Sequence, residues 1–293
     1  MAAVFRPRRS VLFLPGSNPK ALSLAENIPA DVLVFDLEDA VAPENKEAAR
    51  RMTADAVADR DYHGKELIIR INGLDTPHGL EDIAAVVAGG ADAVRLPKTD
   101  SPEDLVAVEK AVEAAERRFK RPVGSVKLFA AIESARGILS VREIATASKR
   151  LVAIAIGAED FVTDMHTSRS PDGIELLAAR RLLVMAARAA GILAIDTVFT
   201  GVDDEEGFLR EAHLAKQLGF DGKSVIHPSQ VALIHSVYTP SDAEVSKARR
   251  VVAAAADAEA KGSGVISLDG KMVDKPIVER ALRVLALAGE VEA

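Results

Sequence analysis

Short apolar runs alternate with helical patterns along most of the chain. The predicted strands are 10–15 (SVLFLP), 31–36, 66–71, 92–97, 126–132, 151–157, 191–196 and 219–225. These runs are rich in Val, Ile and Leu and mostly continuous, which is typical of strands buried on both faces. Between them, stretches such as 102–120, with Ser101 as N-cap, and 174–190 predict helices. The pattern predicts an α/β chain whose eight parallel strands close a (β/α)8 TIM barrel.

An open, doubly wound α/β sheet is the rival architecture. Such a sheet favours a glycine-rich dinucleotide turn, GxGxxG, after its first strand. The turn at 14–20 reads LPGSNPK and does not match that pattern. The barrel is therefore the preferred interpretation.

The chain continues beyond the eighth strand, which a barrel does not require. We expect residues 1–240 to form the barrel domain and residues 241–293 to form a C-terminal helical extension with a lid. Residues 241–261 predict a helix that begins with a capping box, S-D-A-E; 262–276 contain several glycines; and 277–290 are again helical. Segments of this kind act as lids or oligomer contacts, and a simple surface arm is the alternative.

Composition narrows the possible functions. The net charge is −7 and aromatic residues make up 4% of the chain, which argues against nonspecific nucleic-acid binding and against a base-stacking platform. Cysteine is absent, so thiolate zinc sites and a cysteine nucleophile are excluded. No apolar run approaches the roughly 20 residues that span a bilayer. We therefore expect a cytoplasmic protein with neither a membrane nor a nucleic-acid partner.

Charged or polar residues follow nearly every predicted strand. They are Asp36, Glu38, Asp39, Arg70, Asn72, Lys98, Glu133, Glu159, Asp160, Asp196 and Lys223. In a parallel barrel the carboxyl ends of the strands meet at one rim, where active sites are built. Several acids and an arginine on one rim suggest a divalent metal ion and an anionic substrate.

Glu133 and Asp160 are the predicted metal ligands because they follow neighbouring strands, so that their carboxylates can converge. Mg²⁺ commonly takes one or two protein carboxylates together with waters and substrate oxygens. The sequence has no histidine cluster, which makes zinc less attractive. The alternative is that each acid only caps the helix that follows it.

Arg70 ends an otherwise apolar strand, ELIIR, and an arginine in that position needs an anionic partner. Its planar guanidinium suits a carboxylate bidentately, which predicts a substrate contact. A structural ion pair with Glu38 or Asp36 is the alternative, and the two roles can coexist.

Asp36, Glu38 and Asp39 form a dense acidic patch in the motif DLEDAV. We expect them to lie outside the direct ligand shell and hold metal-bound waters, or else to pair with Arg9 or Lys98. Lys98 could form a Schiff base if burial lowered its pKa, but an ion pair in the rim is favoured.

Two further signals are weaker. The turn LPGSNPKAL, with Arg9 and Lys20, offers positive charge and backbone N–H groups near a helix start. His227 in VIHPSQ is a candidate base, although a histidine before a proline in a loop is more often structural.

The motifs RSVLFLPGSNPKAL, VFDLEDAV, IRING, RLPKT, AAIESARGI, IGAEDFVTDM, AIDTVF and GFDGKSVIHPSQV occur in this order. Their order and spacing resemble the citrate lyase β-subunit-like branch of the HpcH/HpaI aldolase family over essentially the whole chain. The resemblance implies a TIM barrel that binds Mg²⁺, with Mn²⁺ able to substitute, and that cleaves carbon–carbon bonds in acyl thioesters.

The resemblance also implies roles for individual residues. Glu133 and Asp160 match the family's Mg²⁺ ligands, and Glu133 is expected to border the substrate as well. Arg70 matches the arginine that grips the substrate carboxylate and polarises its oxygen. The backbone after Gly157 would cradle the carboxylate of a keto acid.

Further positions match the family's CoA-binding edge and its lid. Arg9 and Lys20 fall in the segment that resembles the CoA-binding edge. GVISLDGKMVDKP resembles the lid of malyl-CoA lyases, whose aspartate, Asp274 here, reaches into a neighbouring subunit's site. The resemblance therefore implies a homo-trimer or homo-hexamer with Asp274 as a catalytic residue.

The expected activity is cleavage or formation of malyl-CoA or citramalyl-CoA, with glyoxylate or pyruvate as the keto acid and acetyl-CoA or propionyl-CoA as the thioester. Two alternatives stay open: a lyase β subunit that cleaves citryl bound to a carrier protein, and a malyl-CoA thioesterase.

Overall fold

The computed structural model describes residues 6–260, 266–269 and 271–290. Within them, eight parallel strands close a barrel in which each strand pairs with the next and β8 pairs with β1. The strands are β1 Ser10–Pro15, β2 Val32–Asp36, β3 Glu66–Arg70, β4 Ala93–Leu96, β5 Lys127–Ile132, β6 Leu151–Ile156, β7 Leu193–Asp196 and β8 Gly222–Val225. The predicted (β/α)8 TIM barrel is confirmed.

Helices alternate with these strands. They are α1 Pro19–Leu24, α2 Lys46–Asp59, α3 Gly79–Gly89, α4 Pro102–Arg118, α5 Ala135–Leu139, α6 Val141–Ala145, α7 Ala158–Asp164, α8 Leu177–Ala190, α9 Glu205–Leu218 and α10 Ser229–Tyr238, with 3-10 turns at Ala25–Asn27, Pro43–Asn45 and Ile174–Leu176. Helix α4 begins with the predicted N-cap, because Ser101 and Asp104 form a reciprocal capping box. Among the described residues, no helix is both long and apolar enough to cross a membrane.

The core of the barrel draws residues from strands β1 to β7. Its buried members are Val11, Val32, Val34, Ile68, Ala93, Phe129, Ala153, Ala155 and Ile195. Phe13 packs against this cluster and also lines the cavity described below. The apolar cluster therefore fills the interior of the barrel next to the cavity and the polar residues at the carboxyl ends of the strands.

Two ion pairs join the starts of the strands, at the end of the barrel opposite the rim. Arg9 donates two hydrogen bonds of 2.8 Å to the carboxylate of Asp31, which precedes β2. Arg8 donates to both carboxylate oxygens of Glu66, the first residue of β3. These pairs tie the segment that precedes β1 to the starts of β2 and β3.

A buried carboxylate ties α4 to the starts of β5 and β6. Glu116 accepts hydrogen bonds from Arg150 at 2.9 and 2.7 Å, and from the backbone N–H groups of Gly124 and Val126. Burial raises the pKa of the Glu116 carboxyl, but Arg150 and the two backbone donors outweigh burial and lower the pKa to about 2. Glu116 is thus held as an anion.

The described residues from Ser236 onward belong, with Arg6 and Pro7, to a second compact unit. It contains α11 Asp242–Ala260, the antiparallel pair β9 Ile266–Leu268 and β10 Lys271–Val273, and α12 Lys275–Leu287. The two helices share an apolar cluster of Val245, Ala248, Val251, Val273, Ala281 and Leu285. Ser241 and Glu244 form the predicted capping box. Residues 261–265 and 270 of the predicted extension lie outside the described residues.

Candidate active site

A cavity of about 420 Å³ opens at the carboxyl ends of the strands. Its charged lining residues are Asp36, Asp39, Arg70, Arg95, Glu133, Glu159 and Asp160. The structure therefore brings together both predicted metal ligands, the predicted substrate-binding arginine and two members of the acidic patch. It adds one arginine, Arg95, that the sequence analysis did not select.

Three charged residues form a row across adjacent strands. Asp36 of β2 pairs in register with Arg70 of β3, and Arg70 pairs in register with Arg95 of β4. Partners in register on neighbouring strands point to the same side of a sheet. The sheet itself thus places one carboxylate and two guanidinium groups side by side in the cavity.

Arg70 is held in one orientation by the acidic patch. Its Nε and Nη2 atoms donate to the two carboxylate oxygens of Asp36 at 2.7 and 2.6 Å, and its Nη1 lies 2.7 Å from Oε2 of Glu38. Burial lowers the pKa of this guanidinium, but Asp36 and Glu38 raise it above its ordinary value. A guanidinium has five N–H donors. Two of them are hydrogen-bonded to Asp36, and Nη1 forms an ion pair with Glu38, so the donors that are not bonded to Asp36 can take a ligand.

Lys98 is paired with the same acidic patch. Its Nζ atom donates to Oε1 of Glu38 at 2.6 Å and lies 3.6 Å from Asp39. Burial lowers the pKa of the ammonium group, but the hydrogen bond and charge of Glu38 raise it above the ordinary value. A lysine that forms Schiff bases needs a lowered pKa. The structure therefore supports the ion-pair interpretation of Lys98.

Glu133 is a buried carboxyl group with a free oxygen. Its Oε2 atom is buried and has no hydrogen-bond partner. Burial raises the pKa of Glu133 to about 7, even though Arg95 and Arg70 act in the opposite direction. The side chain packs on Gly157, where an added Cβ would lie 2.6 Å from Cγ of Glu133. Only glycine at position 157 leaves room for this carboxylate.

Asp160 and Glu159 stand in the first turn of α7, and both are exposed at the cavity. Glu159 is paired with Arg169 at 2.8 Å, whereas Asp160 contributes to the electrostatic surroundings of Glu133 and Lys98. An orphaned buried carboxylate oxygen next to a second carboxylate is a donor set that suits Mg²⁺. Across residues 6–260, 266–269 and 271–290 there is no group of three or more His, Cys, Asp or Glu able to hold a metal ion. Water and substrate oxygens would complete a site built on these two acids.

Arg95 is the functional candidate that sequence reasoning missed. It is buried within β4, and its Nε and Nη1 atoms have no hydrogen-bond partner. Its guanidinium carbon lies 4.9 Å from the centroid of the Phe13 ring, and Arg70 lies 5.5 Å from the same centroid. A charged residue inside the apolar run DAVRLP is the same signal that selected Arg70 in ELIIRI.

Two predicted substrate-binding residues lie elsewhere. Arg9 precedes β1, at the opposite end of the barrel, and its guanidinium is engaged by Asp31. Arg9 therefore lies away from this cavity, and its predicted role at a CoA-binding edge stays a prediction. Lys20 is exposed on α1, beside the N-cap Asn18, and is not part of the described lining of the cavity.

His227 and Asp274 have local structural contacts. His227 is exposed, and its Nδ1 atom lies 2.8 Å from Oγ of Ser229, in keeping with the structural interpretation. Asp274 is exposed in the C-terminal unit, where it caps α12 by accepting a hydrogen bond of 3.2 Å from the backbone N–H of Ile277. Its predicted role in a neighbouring subunit stays a prediction.

Comparison with known proteins gives one family match. The family model described as HpcH/HpaI aldolase/citrate lyase matches residues 9–228. The chain is 50% identical to the citrate lyase subunit beta of Leuconostoc mesenteroides subsp. cremoris, over 97% of this chain and 94% of that protein. It is 38% identical to the (3S)-malyl-CoA thioesterase of Cereibacter sphaeroides, over 100% of this chain and 99% of that protein.

A solved structure shows the same architecture. The protein CitE from Mycobacterium tuberculosis, in complex with magnesium, acetoacetate and coenzyme A, superposes with a TM-score of 0.77 at 33% identity. The superposition covers 97% of this chain and 99% of that one. The similarity thus extends through the barrel and most of the C-terminal residues.

Proposed function

Because the chain belongs to the HpcH/HpaI aldolase/citrate lyase family, we propose that it is a Mg²⁺-dependent lyase acting on a thioester of a 3-carboxy-3-hydroxy acid. The observation that carries this proposal is the pairing of an orphaned buried carboxylate, Glu133, with two arginines in one cavity. The reaction breaks the bond between C2 and C3 and releases a 2-keto acid. Its second product is a shorter acyl thioester.

Glu133 and Asp160 would hold the metal ion. When bound, Mg²⁺ supplies Lewis-acid stabilisation of the oxygen on which negative charge develops. Gly157 leaves the space that Glu133 occupies. Because burial raises the pKa of Glu133 to about 7, part of the population is protonated at neutral pH and would lose that proton on becoming a ligand.

Arg70 would bind the carboxylate at C3 and the neighbouring oxygen with the N–H donors that are not bonded to Asp36. Asp36 and Glu38 hold the guanidinium before the substrate arrives, so little reorganisation is needed when charge develops. As the C2–C3 bond breaks, the hydroxyl oxygen becomes the keto oxygen and its proton passes to solvent. The bonding electron pair stays on C2 as the thioester enolate.

The enolate carbon then takes up a proton, which completes the acyl thioester. The resemblance of 262–276 to a family lid motivates Asp274 of a neighbouring subunit as the group that delivers this proton. Its carboxylate is exposed and caps α12, and an exposed carboxylate is accessible for such a role.

Malyl-CoA and citramalyl-CoA, which yield glyoxylate and pyruvate, are the substrates that the sequence predicts. A citryl thioester is the second candidate, and the 50% identity to a citrate lyase subunit beta favours it. A thioesterase outcome is the third, through the 38% identity to a malyl-CoA thioesterase. The M. tuberculosis complex, which contains magnesium and coenzyme A, supports the metal and the thioester in all three.

A panel assay tests the proposal. Malyl-CoA, citramalyl-CoA and citryl-CoA are supplied separately, and the keto acid, the acyl thioester and free CoA are each quantified. We expect a keto acid and an acyl thioester in equal amounts, no activity in EDTA, and recovery on adding Mg²⁺. Free CoA without an acyl thioester would instead identify a thioesterase.

Matched variants connect the activity to the cavity. Glu133→Gln and Asp160→Asn should each weaken Mg²⁺ binding in calorimetry at least 10-fold, because a neutral amide replaces an anionic ligand. Glu159→Gln is the control, since that carboxylate stands beside Asp160 but is paired with Arg169. Full activity in the metal-stripped enzyme would contradict the proposal.

A further inference from the structure

Arg95 differs from the other buried arginines of the barrel in lacking an acid partner. Arg180 binds Asp196 through Nε and Nη2 at 2.8 and 3.0 Å, and Arg150 binds both carboxylate oxygens of Glu116. At Arg95, neither Nε nor Nη1 has any hydrogen-bond partner, although both atoms are buried.

An unpartnered buried guanidinium is costly, because its charge has lost water without gaining a hydrogen-bond acceptor. Burial, followed by the neighbouring charge of Arg70, lowers the pKa of Arg95 to about 10, so the group stays charged at neutral pH. The neighbouring carboxylates do not compensate for this lost hydration, because none of them accepts a hydrogen bond from Arg95. Asp36 and Glu38 are engaged by Arg70, and Glu133 makes no hydrogen bond to Arg95.

The position of Arg95 in the sheet shows where its ligand must lie. It pairs in register with Arg70 of β3, and both side chains line the cavity. Its guanidinium carbon lies 4.9 Å from the centroid of the Phe13 ring. An anion that reaches Arg95 must therefore lie in this cavity, beside the group that Arg70 binds.

We propose that Arg95 binds a second carboxylate, carried by the substituent at C3 of the substrate, and that it selects a keto acid of the oxaloacetate type over pyruvate or glyoxylate. This inference rests on the proposed function and names the substrate class of the same site. The substituents at C3 are a hydrogen in the malyl thioester, a methyl in the citramalyl thioester and a carboxymethyl in the citryl thioester. Only the carboxymethyl group can accept hydrogen bonds from a guanidinium.

The two arginines then divide the substrate between them. Arg70 keeps N–H donors that are not bonded to Asp36 and takes the carboxylate that all three keto acids share. Arg95 takes the carboxylate that distinguishes one of them. When pyruvate or glyoxylate binds, the buried donors of Arg95 stay unpaired. Such a site discriminates against these smaller keto acids far more strongly than an apolar pocket can.

The test is calorimetric titration of oxaloacetate, pyruvate and 2-oxobutyrate into the Mg²⁺-loaded protein. Oxaloacetate is dissolved freshly, because divalent metal ions promote its loss of CO₂ to give pyruvate. In the wild type, oxaloacetate should bind more tightly than the other two. In Arg95→Met, its affinity should fall by about 10- to 100-fold while the affinities for pyruvate and 2-oxobutyrate change by less than about 3-fold.

Two controls separate recognition from folding. Arg117→Gln removes an exposed guanidinium on α4 that pairs with Glu113, and it should leave all three affinities unchanged. Thermal denaturation of Arg95→Met without ligand should show no loss of stability, since the replaced guanidinium has unpaired donors. A large loss of stability would show that Arg95 serves the fold, and it would overturn the assignment.

The remaining outcomes are also decisive. Equal losses for all three keto acids would place Arg95 on the shared carboxylate, and unchanged oxaloacetate affinity would remove it from the substrate; either result overturns the proposal. Turnover of the thioester panel by the wild type separates this failure from failure of the proposed function. An enzyme that cleaves a thioester but shows no dependence on Arg95 loses only this inference.

Discussion

Lys98 shows how a partner decides which chemistry a side chain can perform. In the structure its ammonium group is hydrogen-bonded to Glu38, and this contact raises its pKa. Sodium borohydride added in the presence of pyruvate should therefore trap no adduct on Lys98, because the amine is not available as a nucleophile. Intact-mass analysis followed by peptide mapping measures this. A reduced pyruvyl adduct at Lys98 would mean that the enzyme uses a Schiff base.

The two arginines of the cavity show what the sequence alone could not predict. Both Arg70 and Arg95 interrupt apolar strands, so their unusual position was visible in the sequence. The sequence could not show that Asp36 occupies one of them and leaves the other free, because that depends on register across β2, β3 and β4.

At the scale of elements, every predicted strand was found, and the two largest boundary differences lie next to glycines. The predicted strand 191–196 begins at Leu193 because Gly191, with φ of 70°, ends α8. The predicted strand 219–225 begins at Gly222 because Gly219, with φ of 100°, ends α9. Both glycines adopt the left-handed conformation that closes a helix. In the sequence, each glycine stands between a helical pattern and an apolar run. The apolar run alone does not show whether the glycine ends the helix or begins the strand.

The clamp around Glu116 joins three elements, and its contribution to stability should depend on pH. The folded-state pKa of about 2 lies below the ordinary value of 4.5, so stabilisation is complete above about pH 5 and is lost as the pH falls toward 2. Glu116→Gln should therefore lower the free energy of unfolding by about 3 kcal/mol at pH 7 and by much less near pH 2.5. Urea unfolding at both pH values measures the difference. A difference that does not vary with pH would assign the effect to packing rather than to charge.

At the scale of the whole molecule, the relation between subunits stays a prediction, as do the cytoplasmic location and the use of Mn²⁺. If Asp274 acts in a neighbouring subunit, two inactive variants should complement each other. Arg70→Ala subunits mixed with Asp274→Asn subunits, dissociated and reassembled, should regain part of the wild-type activity. Some sites in the mixed oligomers then combine an intact Arg70 with an intact Asp274.

The choice of asparagine follows from the contacts of Asp274. This side chain caps α12, and asparagine caps helices as well as aspartate does, so the variant removes the carboxylate but keeps the cap. Loss of activity in Asp274→Asn can then be assigned to chemistry. Mixed oligomers that form but stay inactive, or a fully active monomer, would show that the carboxylate is not shared between subunits.

The ion pairs at the starts of the strands have a consequence for how such a chain can evolve. Arg8 with Glu66, Arg9 with Asp31 and the Glu116 clamp join elements at the end of the barrel opposite the cavity. Residues at the opposite rim can therefore change one at a time while the scaffold persists. If Arg95 selects the keto acid as proposed, one substitution at this position of β4 would change the substrate specificity. The ion pairs at the other end of the barrel would still stabilise the fold, so specificity could evolve without a loss of stability.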